Sequence, residues 1–275
     1  MRKKGAAFIV LLGSALAVSL GAQQSPPPAV PASAPAAATD PQPATCPEMA
    51  SALTRLMGND LRFRDWPNLA RYREPNRLLG APAASESRVV FMGDSITDSW
   101  PQPRFGDFFV GKPYIGRGIS GQTTPQMLIR FRPDVIDLKA KVVVILAGTN
   151  DIAGNTGAMS DQEIENNIAS MAELGKAHGI KVVLSSILPV AAYHPPTNNF
   201  PQTVQRPMTR IRAINDWMKK YAAAEHHIYL DYFSAMLDGT GLMREDLTAD
   251  DLHPNAKGYA IMGPLAEAAI KQALK

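Results

Sequence analysis

Val89-Val90-Phe91-Met92-Gly93-Asp94-Ser95-Ile96-Thr97 is the stretch on which the architecture turns. Its apolar start is too short for a helix and suits a buried strand, and the glycine lets the chain turn sharply at the strand's carboxyl end. In open α/β sheets that end is where ligands bind. Ser95 then sits at the mouth of a site, its N–H at the start of the next helix, where positive partial charge favours an anion. An ordinary turn or helix N-cap also contains Gly-Asp-Ser, so Ser95 needs partners elsewhere.

Further apolar runs follow at the intervals of alternating β and α units: around Tyr114-Ile115, Lys141 to Ala147, Lys181 to Ile187, and His227 to Asp231. Helical patterns lie between them. Ser160 with Glu163 is a capping box that opens a helix with Ile164, Ile168, Met171 and Leu174 on one face, and Arg210 to Ala224 and Ala256 to Leu274 read as two more. Continuous apolar strands alternating with helices predict a mostly parallel five-stranded sheet covered on both faces, a three-layer α/β/α sandwich. Val190 to Pro207, rich in Pro and Asn, is too long for a plain connection and reads as an insertion beside the site.

The 275 residues, 45% hydrophobic and 19% charged, suffice for one large core; with a net charge of +3 and scattered basic residues, nothing argues for nucleic acid or an anionic membrane surface. Residues 1–22 have the plan of a secretory signal: Arg2-Lys3-Lys4, an apolar run from Ala6 to Leu20, then Gly21 and Ala22. That run is shorter than a bilayer span, so no stable membrane insertion is expected after cleavage. Residues 23–45, mostly Pro, Ala, Ser and Gln, describe an extended linker. Residues 46–275 are expected to form one domain, with 46–87 as a helical extension in which Leu53, Leu56, Met57, Leu61, Phe63, Trp66 and Leu69 pack on the sheet. Cys46 is the only cysteine, which excludes an intramolecular disulfide, and none lies close enough to the apolar run to carry a lipid. This organisation predicts a secreted or periplasmic protein whose core stands without disulfides.

Three other strand-end stretches supply what a nucleophilic serine requires. Gly116-Arg117-Gly118-Ile119-Ser120-Gly121 contains Gly118, which can bring a backbone N–H close to a ligand. Gly148-Thr149-Asn150-Asp151 offers the amide of Asn150 at the same rim. Ala249-Asp250-Asp251-Leu252-His253-Pro254-Asn255 gives an acid and an imidazole one turn apart, so that Asp250 can accept from Nδ1–H of His253 and leave Nε2 toward Ser95. A serine hydroxyl needs such a base, and the base needs a carboxylate to fix its tautomer. The N–H groups of Ser95 and Gly118 and the amide of Asn150 are candidate donors to the oxyanion, each worth about 100- to 1000-fold in rate.

These blocks, in this order from about Arg88 to the carboxyl terminus, resemble the signature of the SGNH hydrolases, also called GDSL esterases and lipases. The resemblance implies a flavodoxin-like sandwich, Ser95 as nucleophile and oxyanion donor, Gly118 and Asn150 as further donors, His253 as base, Asp250 as its orienting acid, and no metal or organic cofactor. Asp251 stands where relatives often have glycine, leaving two adjacent acids, of which the three-residue spacing selects Asp250. Gly116 departs where many relatives carry Asn.

Among the other histidines, His178 reads as a helix C-terminal dipole partner, His226 and His227 as surface residues, and His194 as a solvated loop residue; together they offer no zinc-ligand spacing. Asp94 and Asp151 read as loop carboxylates that bind backbone, since a glycosidase pair leaves Ser95 and His253 unexplained. The expected activity is hydrolysis of short acyl esters, acetyl on carbohydrate included, on a small ester or acylated carbohydrate substrate. A lipase or phospholipid acetylhydrolase is the alternative within the chemistry. A carbohydrate-binding module that has lost catalysis is the alternative outside it, and it predicts damage to Ser95, His253 or Asp250.

Overall fold

The computed structural model describes residues 49–51, 53, 64–106, 108–196 and 200–275. The expected signal and linker, and Leu56, Met57, Leu61 and Phe63 of the extension, lie outside the described residues. Strands β1 (Val89–Gly93), β2 (Tyr114–Gly118), β3 (Val142–Leu146), β4 (Lys181–Ser185) and β5 (Ile228–Leu230) form one sheet in the order β2-β1-β3-β4-β5. All its pairings are parallel. The helices are α1 (Arg73–Leu79), α2 (Ser95–Ser99), α3 (Thr124–Phe131), α4 (Thr149–Ile152), α5 (Asp161–Ala177), α6 (Gln202–Gln205), α7 (Met208–Ala224), α8 (Tyr232–Met236) and α9 (Ala256–Ala273).

β1 and β3 are buried at every position, as their unbroken apolar sequence requires of strands covered on both faces. Alternate side chains serve opposite layers. Val90, Met92, Val143, Ile145, Val182 and Leu184 pack with Ile164, Ile168 and Met171 of α5 and Ile211 and Ile214 of α7. Phe91, Val144, Leu146 and Val183 face Tyr259, Met262, Ala266 and Ile270 of α9. The architecture is the predicted α/β/α sandwich. The capping box at Ser160 is present, its hydroxyl accepting from Glu163 N while the Glu163 carboxylate accepts from Ser160 N.

The register sets the site. Gly93 lies level with Gly118 on one side and Leu146 on the other, so the chain leaves three neighbouring strands at one height. β2 extends past Tyr114-Ile115 to Gly118, because Gly118 allows an approach no side chain permits. A Cβ there would lie 2.1 Å from Asp98 N, 2.6 Å from Thr97 C and 2.7 Å from Asp94 O.

The extension departs from expectation. Leu53, Trp66, Leu69 and Leu78 are exposed and α1 buries no residue, because both sheet faces are already covered by α5, α7 and α9. The segment instead attaches by polar contacts at the β2 edge: the Tyr72 hydroxyl donates to Gly118 O, Gln122 Nε2 to Pro67 O, and Asn76 Nδ2 to Asp134.

Candidate active site

Ser95 and Asn150 sit just past the ends of β1 and β3, whereas Asp250 and His253, which the sequence suggested would follow a strand end, come from the loop that leads into α9. Asp94 caps α2 by accepting from Ile96 N at 2.9 Å, which fixes the turn that presents Ser95. Burial pushes the Asp94 carboxyl up to about 6, against the pull of that N–H bond. On the other side, Asn255 caps α9 by accepting from the N–H groups of Lys257 and Gly258, and a bridge between Thr248 and Pro254 closes the loop that holds His253.

These anchors bring Ser95 Oγ within 2.8 Å of His253 Nε2, and His253 Nδ1 within 2.6 Å of Asp250 Oδ2. Nδ1 faces a carboxylate and so carries the proton, leaving Nε2 to accept from the Ser95 hydroxyl. Asp250 also accepts from His253 N at 2.7 Å and Leu252 N at 3.1 Å. Partial burial alone would raise its carboxyl, but the His253 side-chain and backbone hydrogen bonds hold it well below the usual carboxylate range.

Asp251 serves a different purpose. It is buried, its backbone lies at φ +66°, and its carboxylate accepts from His194 N at 2.8 Å and meets His194 Nδ1 at 2.9 Å. Positive φ accounts for glycine suiting this place; the aspartate accepts the strain and fastens the 191–194 segment. His194 is thus a partly exposed loop residue, as expected, but one held by Asp251. His178 does cap α5, with Nδ1 2.8 Å from Leu174 O. His227 departs from a surface role, since its Nε2 is buried without a partner among the described residues and its ring lies 6.0 Å from that of Tyr221. Asp151 accepts from Thr124 N at 2.9 Å, which ties the loop after β3 to the start of α3.

Asn150 is buried in α4. Its Nδ2 donates to Gln122 O at 3.0 Å and its Oδ1 accepts from Arg206 Nη2 at 3.4 Å, which orients the carboxamide and leaves one N–H over. Ser95, Asn150 and His253 line one cavity of about 680 Å³, with Gly121 and Asn155 on its wall.

Gly118 does not reach this cavity. In the parallel ladder Ile119 N bonds to Gly93 O, so Gly118, one residue earlier, turns its polar groups to the outer edge of the sheet, where its carbonyl takes the Tyr72 hydroxyl. The glycine on the cavity wall is Gly121, exposed and at φ +79°, and its N–H has no acceptor among the described residues. Its signal in the sequence is the Ser-Gly turn after Ile119. Among the described residues no cluster of three or more His, Cys, Asp and Glu is placed to hold a metal.

A parallel sandwich that sets a serine at a strand end in series with a histidine and an aspartate from a neighbouring loop has the layout of an acyl-transferring hydrolase. Residues 91–261 match the GDSL-like Lipase/Acylhydrolase family, and the chain belongs to that family. A GDSL-like lipase from Bacteroides thetaiotaomicron is similar at 43% identity and TM-score 0.69, over 75% of this chain and 98% of that one. Esterase TesA of Pseudomonas aeruginosa is 29% identical over 188 residues, 64% of this chain and 84% of the relative. The acetylxylan esterase Axe2 of Geobacillus stearothermophilus shares the fold at TM-score 0.54 and 21% identity, over 70% of this chain and 96% of that one. YqeF, an uncharacterized lipoprotein of Bacillus subtilis, matches at 38% identity over 79 residues, and this chain spans only 32% of its length. Among the described residues no helix is long and apolar enough to cross a membrane.

Proposed function

We propose that this GDSL-family acylhydrolase is an exported serine esterase that cleaves short acyl groups, acetyl foremost, from small or carbohydrate alcohols. The observation that carries the reading is the series of 2.8 Å and 2.6 Å contacts from Ser95 through His253 to Asp250, opening on a cavity walled by polar side chains. His253 takes the hydroxyl proton as Ser95 Oγ attacks the ester carbonyl, and Asp250 stabilises the imidazolium that forms. The proton passes to the departing alcohol, and water resolves the acyl-enzyme by the reverse relay. The N–H groups of Ser95 and Gly121 and the free amide N–H of Asn150 are the donors to the oxyanion, with Gly121 in place of Gly118. Likeness to an acetylxylan esterase supports the acetyl and carbohydrate assignment. Likeness to a lipoprotein and the signal-like residues 1–22 support export.

A lipase acting on longer chains draws on one observation, an apolar groove along Trp100, Phe109, Val110 and Tyr259 that meets the cavity at Phe105. Hydrolysis of 4-nitrophenyl esters from acetate to decanoate, by the wild type and by Ser95→Ala, tests both. The esterase reading expects rates that fall beyond butyrate and vanish in Ser95→Ala. Equal rates in the two proteins would refute the mechanism, and a maximum at octanoate or longer would favour the lipase.

A further inference from the structure

We infer that the cavity at Ser95 recognises a negative charge carried by its ester, with Arg206 as the buried contact and Arg104 at the rim. The inference rests on the esterase reading above and names the substrate class, an ester bearing a carboxylate or phosphate group.

Arg206 lines the cavity yet is only 5% exposed. Its Nε donates to Thr149 Oγ1 at 3.1 Å, Nη1 to Gln202 Oε1, and Nη2 to Asn150 Oδ1 at 3.4 Å. Each of these acceptors is neutral. Buried Arg117, which does not line the cavity, bonds to the neutral acceptors Asn76 Oδ1 and Gly116 O, whereas buried Arg88 and Arg130 are paired with the carboxylates of Glu86 and Asp134. Among the described residues Arg206 has no such partner. Asp94 and Asp250 act on it through space without a hydrogen bond to it; Asp94 Oδ1 accepts from Ile96 N, and Asp250 holds His253.

A neutral donor such as glutamine could satisfy Thr149 and Asn150 without taking a full charge out of water, which is costly when nothing answers it. A guanidinium carries five N–H donors in a planar fork. Three are engaged, and the remaining two match the oxygens of a carboxylate or phosphate. Arg104 adds a second cation to the wall, its guanidinium 4.5 Å over the Phe105 ring and unpaired with any carboxylate among the described residues. The carboxylate on the wall, Asp250, is committed to His253.

The test compares kcat/KM within matched pairs by pH-stat titration. Monomethyl succinate against methyl butyrate places the charge on the acyl side; the mono-O-acetylated methyl glucuronoside against the corresponding glucoside places it on the alcohol side. In the wild type one anionic member is expected to exceed its neutral partner by tenfold or more, the range of a charge-assisted hydrogen bond. Arg206→Gln should bring that ratio near one, while Arg206→Lys keeps most of it. The ratio is read within each protein, so a general loss of activity does not mask it. Should Arg206→Gln fail to fold, competitive inhibition of the wild type by succinate against succinamide reads the same preference. A wild-type ratio near one in both pairs, or a ratio that Arg206→Gln leaves unchanged, overturns the inference. If no ester is turned over, the esterase reading fails by itself; calorimetric binding of monomethyl succinate and methyl butyrate to the wild type then decides, with equal affinities overturning the inference and tighter binding of the anion supporting it.

Discussion

Gly118→Ala distinguishes a glycine that lends its N–H to chemistry from one that lets two backbones meet. Alanine keeps the N–H, so a donor role alone predicts little change in stability. The structure predicts a large one. The new methyl would fall 2.1 Å from Asp98 N, 2.6 Å from Thr97 C and 2.7 Å from Asp94 O, all backbone atoms of the turn that carries Ser95. No rotamer relieves that contact; β2 or α2 must move. Overpacking of well-filled cores costs about 1–3 kcal/mol, and a clash with fixed backbone belongs at the upper end, about 3 kcal/mol. Against a total stability of about 5–15 kcal/mol this is a large fraction. Gly121→Ala is the control, since its Cβ meets nothing closer than Asn155 Nδ2 at 3.9 Å and its φ of +79° costs only about 1 kcal/mol. Urea denaturation of both variants beside the wild type reads the difference as a shift in midpoint at constant slope, about 1–3 M for Gly118→Ala at ordinary urea slopes. A Gly118→Ala protein that unfolds at the wild-type midpoint while kcat falls would refute the packing role and restore Gly118 to the chemistry.

On the proposed mechanism, in which the amide serves a charge that develops only in the transition state, Asn150→Ala should lower kcat by about 100- to 1000-fold with KM little changed; steady-state kinetics on an acetyl ester check this. Asp94 gives a pH signature. Its folded pKa of about 6 lies above the ordinary 3.8, so between these values the folded state holds more protons than the unfolded one, and this group's contribution to stability is lost as pH rises. About two pH units at 1.36 kcal/mol each make about 3 kcal/mol, so the stability of Asp94→Asn relative to wild type should rise by roughly that amount from pH 3 to pH 7 in parallel urea titrations. A difference flat with pH would count against a buried titrating Asp94. Asp251→Gly relieves positive-φ strain but frees the 191–194 segment, so hydrogen exchange at His194 N should quicken about tenfold, the loss of one backbone hydrogen bond. In the wild type the carboxylate of Asp251 raises the His194 pKa, so this fastening is strongest where the imidazole is charged and weakens as pH rises past that raised value.

What the sequence discloses depends on whether a residue's role is local. The strands, the Ser160 cap and the Asp250–His253 pair are written in near-neighbour patterns, and the structure places them accordingly. Gly118 and Gly121 lie in one short stretch, and a residue without a side chain carries no mark of which backbone it must approach; the pairing of Gly93 with Gly118 decides, and pairing is a property of the sheet. The His194–Asp251 contact joins residues 57 apart, beyond any local pattern. Arg206 is hidden for the same reason, its burial arising from α4 and α6 meeting across the site. The exposed Trp66 and Leu69 misled because an apolar stripe reports a preference for burial and not whether a face remains to receive it.

The contacts of Tyr72 and Asn76 have one more consequence. A sheet of parallel strands ends in two rows of outward backbone groups, and an uncovered row invites a strand from another molecule to extend it. β5 offers little purchase because it is only three residues long. β2 is longer, but Tyr72 occupies the carbonyl of Gly118 and Asn76 holds the Arg117 guanidinium, which lies 4.7 Å over the Tyr72 ring. The described residues before β1, whose Leu53, Trp66, Leu69 and Leu78 are exposed, thus act as a guard against strand addition. Removing the chain up to Gly80 would bare the outer row of β2 and make that edge of the sheet adhesive.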